Sequence, residues 1–212
     1  MATAGRPRLF DVDSAVGQAL MLFWEFGYEA TSLAQLRSTM GISSASFYAA
    51  FKSKEALFER VLDRYMTGPG TVRAVVGDTS LSGREAVARF LHDSIRMQTD
   101  PSHPLGCLVA MSARMIGEAT PGPVLDAVMS LRRQDRLHLE RRIERAVESG
   151  ELRADTDARA LAGAIYGFLL GVSTQARDGA DPADLHRAAD TVLLGWDAHA
   201  TEPAATWEQS PA

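Results

Sequence analysis

Apolar residues recur at spacings of three and four along nearly the whole chain, and no stretch shows the strict alternation of a half-buried strand, so the pattern predicts helices. Near the N-terminus, Val12, Val16, Ala19, Leu20, Phe23 and Phe26 form one stripe behind Asp11, a residue suited to capping. This predicts a helix over about 11–26, stopped by Gly27, which tolerates the left-handed conformation of a helix end. Leu33, Leu36 and Met40 predict a short second helix, capped by Thr31 or Ser32 and ended by Gly41, with Ile42 packed beneath the turn. Ser43 can cap a third helix reaching about Ala50. Ser53 can cap a fourth, whose stripe is Leu57, Phe58, Val61, Leu62 and Tyr65. Thr67-Gly68-Pro69-Gly70 then breaks the pattern and reads as a hinge between a small head and a larger body.

The body predicts helices near 84–99 and 106–118, then a long one that opens at 120–123 and ends before Gly150. A further helix is capped by Asp155 and runs to about Arg177. The last begins at Asp181-Pro182, with Asp184 in its first turn. The expected fold is all-α, about nine helices, with a head over 5–66, a body over 71–200 and a disordered tail over 201–212. Gly163, Gly167 and Gly171 lie four apart, on one face of the penultimate helix. Glycine costs about 1 kcal/mol per residue inside a helix, so three on one face imply that another backbone approaches there. The last helix offers Leu185, Ala188, Ala189, Val192, Leu193 and Trp196 as its apolar stripe.

Composition alters this picture little: 46% hydrophobic and 23% charged residues suit a globular protein. No apolar run reaches the roughly 18–20 residues of a membrane span, and no membrane partner is expected. The first 15 residues lack an apolar signal core, and Cys107, the one cysteine, has no intrachain disulfide partner. A cytoplasmic protein is expected. His92, His103, His138, His186 and His199 show no metal-ligand spacing, so neither metal nor other cofactor is expected. Net charge is −5, which by itself disfavours nucleic acid. Residues 1–66, however, hold seven Arg/Lys and seven Asp/Glu, leaving the acidity to the body. A neutral head can hold DNA if its cations share one face.

The chemistry is concentrated in Thr31 to Phe58. Short helix, glycine turn and short helix make a helix-turn-helix over about 32–51, with Gly41 permitting the reversal. Ser44, Ala45 and Ser46 open the second of these helices, where small side chains let it enter a major groove. Thr31-Ser32, Gly41-Ile42-Ser43, Phe47-Tyr48 and the run Phe51-Lys52-Ser53-Lys54-Glu55-Ala56-Leu57-Phe58 closely resemble the N-terminal domain of the TetR/AcrR family over about residues 5–66. Gly106-Cys107-Leu108 is similar to a segment of some members.

The resemblance implies a ligand-responsive transcriptional regulator without catalytic activity. It would be a repressor that binds a palindromic operator in double-stranded DNA as a homodimer and is released by a small hydrophobic effector. It implies phosphate contacts from Thr31, Tyr48 and Lys54, with Ser32, Ser43 and Lys52 on the same surface, and base reading by Ser44, Ala45 and Ser46. Ser44 stands where many members carry a basic residue, and Ala49-Ala50 replace aromatic residues or histidine. Fewer bidentate base contacts are therefore available, and Arg6 and Arg8 would compensate from the minor groove. The resemblance places the last two helices in a dimer bundle through Gly163, Gly167, Gly171, Leu185, Ala189, Val192 and Trp196.

An effector cavity is expected among the body helices. Its candidate lining is Met97, Cys107, Leu108, Met111, Met115, Tyr166 and Phe168, with Phe90, Ile116 and Met129, since methionine adapts to irregular shapes. Two other readings compete. An enzyme with Cys107 as nucleophile would need a histidine base. His103 is close, but no catalytic motif surrounds it, and the Thr31–Phe58 pattern is left unexplained. A DNA-binding adaptor or activator whose body holds a protein partner stays open.

Overall fold

The computed structural model describes residues 10–112 and 122–201. Among them there is no β-strand, and the order of elements is α1 (Val12–Ala30), α2 (Leu33–Met40), α3 (Ser44–Phe51), α4 (Lys54–Thr67), a 3₁₀ segment (Pro69–Gly77), α5 (Gly83–Thr99), α6 (Leu108–Ser112), α7 (Gly122–Glu148), α8 (Ala158–Arg177) and α9 (Pro182–Asp197). No helix among the described residues is long and apolar enough to cross a membrane.

The ends of these helices follow local chemistry. Asp11 accepts the Asp13 N–H, and Gly27, at φ 78°, breaks α1 where expected before a final turn to Ala30. Ser32 and Gln35 form a reciprocal capping box on α2, and Gly41 closes that helix in the left-handed region at φ 62°. Ser43 caps α3, Ser53 caps α4 and Asp181 caps α9. The α8 cap is Asp157, accepting the Ala160 N–H at 2.9 Å. Asp155, expected to hold that place, pairs with Arg153 instead.

Two apolar cores result. The first gathers Phe23, Trp24, Phe47, Phe51, Leu57 and Phe58 of the head and continues into the body through Leu108, Val109, Val124 and Val128. Phe26, expected inside, is exposed. Trp24 takes the inner face of α1 because the body packs there: its indole N–H donates to the Gly106 carbonyl at 3.0 Å, and its ring stacks on His103. The second core joins α5, α7, α8 and α9 through Leu91, Ile95, Leu139, Ile143, Ile165 and Trp196. The break at Thr67–Gly70 is a packed join: the 3₁₀ segment lies on α5 and α7, with Gly70 and Val76 buried.

Candidate nucleic-acid interface and body cavity

The α2–α3 pair presents one outward face. Buried Phe47 and Phe51 anchor α3, which leaves Ser44, Ala45, Ala49 and Lys52 exposed and Ser46 half-buried. Tyr48 is 49% exposed, its ring set edge-on against Phe47 at 5.5 Å. It is therefore braced from below while its hydroxyl end stays in solvent. Arg37, Leu33, Ser44, Phe47 and Tyr48 surround a shallow dent of about 100 Å³. The sequence pattern assigns Arg37 no role beyond its charge, yet it stands beside Ser44, where it restores a cation to that edge of α3.

Not every hydroxyl in this region faces outward. Thr31 is fully buried and donates its hydroxyl to the Gly27 carbonyl at 2.7 Å, closing α1, so burial corrects its assignment as a phosphate ligand. The Ser43 hydroxyl accepts the Ser46 N–H and lies 3.0 Å from the Ser46 hydroxyl, which makes it a scaffold for the helix start. Ser32 is exposed and caps α2. The Lys54 ammonium lies 4.2 Å from the centroid of the Tyr28 ring, and burial lowers its pKa. Tyr28 in turn donates to Glu55. Arg6 and Arg8 lie outside the described residues.

Beneath the head, between α4, the 3₁₀ segment, α5, α7 and α8, lies a cavity of about 60 Å³. Tyr65, Phe90, Met97, Cys107, Tyr166 and Leu169 make its apolar wall, and Ser94, Gln98, Ser173, Asp135 and Arg73 its polar one. An open groove of about 570 Å³ adjoins it and shares Met66, Gly70 and Arg73. Of the expected lining, Met97, Cys107 and Tyr166 are in the cavity wall. Leu108 is not; it belongs to the core beneath the head. Phe168 stands two residues and about 200° around α8 from Tyr166; both pack on the second core, but only Tyr166 reaches the cavity wall. Met111 lies near Gly106, outside the wall, and Met129 is exposed. Met115 and Ile116 fall outside the described residues.

Asp135 and Arg73 form an ion pair at 2.6 Å, both largely buried. Burial still raises the Asp135 pKa from 3.8 to about 6, against the opposing pull of Arg73. The folded protein thus holds this proton more tightly than the unfolded chain does. Ionisation costs stability above about pH 6, and the cost is relieved as pH falls towards 4. The effect is about 3 kcal/mol at most. Asp135→Asn removes the titration. Its stability relative to wild type is expected to be greatest near pH 7.5 and to decline towards pH 4.5, by denaturant melts at each pH. A difference independent of pH would contradict the burial of this charge.

The comparisons with known proteins agree over both halves of the chain. Residues 16–61 match the bacterial regulatory proteins of the tetR family, and residues 83–192 match the tetracyclin repressor-like C-terminal domain. The chain is 31% identical over 193 residues to the transcriptional repressor ComR of Escherichia coli, covering 91% of each protein. The chain belongs to the TetR family. Over 108 residues it is 35% identical to another such repressor, BdcR of the same organism, covering 50% of this chain and 53% of that one. Among solved structures, a cysteine mutant of the TetR family regulator CifR, complexed with 26-bp double-strand operator DNA, matches with a TM-score of 0.83 and 37% identity. That match covers 90% of this chain and all of the other. The protein is therefore a DNA-binding transcriptional regulator of the TetR family and not an enzyme.

In this TetR-family chain the cavity is wired to the head. The Tyr65 hydroxyl of α4 is 3.1 Å from the Cys107 sulfur, and its ring meets Trp24 of α1 edge-on at 4.9 Å. Burial pushes the Cys107 thiol pKa up, which keeps it protonated and poorly nucleophilic. Arg177, at the end of α8, donates to the carbonyls of Leu105 (3.1 Å), Glu25 (3.0 Å) and Trp24. It therefore joins the end of α1, the loop before α6 and α8. Arg177, Asp135 and Arg73 give no signal in the sequence because their partners are distant in the chain.

The α8 glycines face outward. Gly163 and Gly167 are exposed, and a methyl group placed at either position would meet nothing within 4 Å; Gly171 meets only its neighbour Gln175. On α9, Leu185, Ala189 and Trp196 are buried in the protomer's own core and Val192 packs against that core. The apolar stripe of an amphipathic helix covers the nearest apolar surface first, so Leu185, Ala189 and Trp196 are corrected to intrachain roles, while Val192 keeps part of its surface exposed. Leu194, 62% exposed, is what α9 leaves uncovered.

Proposed function

We propose that this regulator is a repressor that binds a palindromic operator as a homodimer and is released when a small molecule enters its body. The observation that carries the release mechanism is that Tyr65 belongs at once to α4 of the head and to the cavity wall. Filling the cavity displaces α4, and with it the spacing of two heads that must fit two half-sites together. The naming of ComR and BdcR as repressors, and of CifR with its operator DNA, supports the DNA half of this reading. A transcriptional regulator of a bacterial type works in the cytoplasm, beside the chromosome. The deciding experiment selects bound DNA from a random pool and then asks whether a metabolite extract releases it. Release supports an effector. Protein-dependent retention of the DNA through all small-molecule fractions sinks the effector reading and favours a body that binds a protein.

On the DNA side, Ser44, Ala45 and Ser46 read bases, while Tyr48, Lys52, Lys54 and Ser32 hold phosphates, and Arg6 and Arg8 reach the minor groove. Tyr48→Phe is expected to weaken binding roughly fivefold on every sequence, the loss of about one hydrogen bond. Lys54→Ala is expected to reduce the salt slope by about 1. Fluorescence anisotropy across a salt series measures both. An unchanged slope would mean that the lysine serves only to cover Tyr28.

A further inference from the structure

Among the described residues, Asp135 is the one acid and Arg73 the one cation in the cavity wall. Asp135 stands on α7 of the body, whereas Arg73 stands on the 3₁₀ segment that follows directly from α4 of the head. Their ion pair therefore ties the exit of the head to the body. Around it the wall is mostly aromatic, aliphatic and sulfur-containing, as an apolar ligand frame requires, with Ser94, Gln98 and Ser173 as its neutral polar groups. Arg73 also borders the adjoining open groove, whose wall continues through His138, Arg141, Glu144, Arg145 and Glu148, so its guanidinium has a solvent-facing side to turn to when displaced.

Building on the reading of the body as an effector site, we infer that the effector is an organic cation, a protonated amine on an apolar frame, whose ammonium group takes Asp135 from Arg73. The frame enters between Phe90, Met97 and Leu169, and the rings of Tyr65 and Tyr166 add π-faces near the positive charge. Asp135 remains hard to ionise even with Arg73 beside it, so a second, better buried cation is rewarded there. An anion would enter beside this carboxylate and meet like charge. A neutral molecule would leave the tie intact. With the amine bound, the link between the 3₁₀ segment and α7 opens, and the strain reaches α4 by the shortest covalent route.

The test titrates the full-length protein with 2-phenylethylamine, 2-phenylethanol and 3-phenylpropanoate. These probes share a ring and a similar reach and differ in charge. Calorimetry gives affinity, and tryptophan fluorescence, to which Trp24 beside Tyr65 contributes with Trp196 and Trp207, follows binding independently. The amine is expected to bind about tenfold or more tighter than the other two and to lose about tenfold in Asp135→Asn. Arg73→Gln should keep amine binding and, without any ligand, weaken operator binding about tenfold. Asp135→Asn breaks the same tie and should weaken ligand-free operator binding likewise; a single cooperative thermal transition shows that this variant is folded. Equal or tighter binding of the alcohol or acid, unchanged amine affinity in Asp135→Asn, or no saturable binding of the amine overturns the assignment. Whether the body takes any effector is decided separately, by release from the operator with a metabolite extract, so the two failures are distinguishable.

Discussion

Gly83→Ala is expected to lower the stability of the protein by about 2–3 kcal/mol, the upper part of the range for forcing a methyl group into a filled core, and to drop its Tm by roughly 5–10 °C. Gly83 opens α5 and is buried. A Cβ there would sit 2.8 Å from two carbons of the Trp196 indole and 2.9 Å from the Glu151 carboxylate. Neither can withdraw freely. Trp196 is 1% exposed within the second core. The Glu151 carboxylate accepts the Gly83 and Arg84 N–H groups at 2.7 and 2.8 Å, capping α5 from a distant part of the chain. Next to it, Arg84 holds Asp197 through two nitrogens at 2.6 and 2.9 Å. One methyl group thus disturbs a cap, a tryptophan and the docking of α9 on α5. Calorimetric melting of the variant reads the effect directly, and a wild-type Tm would show that this packing is looser than the distances imply.

What can be read in the sequence is local. Caps at Ser32, Ser43, Ser53 and Asp181, the positive-φ break at Gly27 and the left-handed end at Gly41 need only neighbours a few residues away, and they appear where expected. So does the exposed edge of α3. Thr31 misleads because a threonine before a helix has two uses, and only the packing of α1 against the turn decides between them. The same holds for Leu185, Ala189 and Trp196: their 3–4 spacing announces a buried face without naming the surface that covers it. Asp135 and Arg73 carry no local signal at all, since a charged residue on a helix is usually solvated. Their meaning arises from being brought together across 62 residues inside an apolar wall.

The second large effect concerns the outward face of α8. Gly167→Leu is expected to leave the protomer folded, since the position is open, and leucine is a better helix former than glycine by about 1 kcal/mol. The same side chain would block a partner backbone approaching along Gly163, Gly167 and Gly171. A protein reduced to monomers grips one half-site at a time and loses the effective concentration that linkage provides. Operator affinity is therefore expected to fall by about 10²–10⁴-fold, with affinity for an isolated half-site unchanged. Light scattering and anisotropy on whole and half operators read both quantities. Leu185→Ala offers the contrast: its side chain is inside the protomer, so it should cost stability, about 2–5 kcal/mol, before it touches assembly. A Gly167→Leu protein that remains dimeric with full operator affinity would place the subunit contact elsewhere. The α8 glycines would then need another explanation for a helical cost that nothing in the protomer offsets.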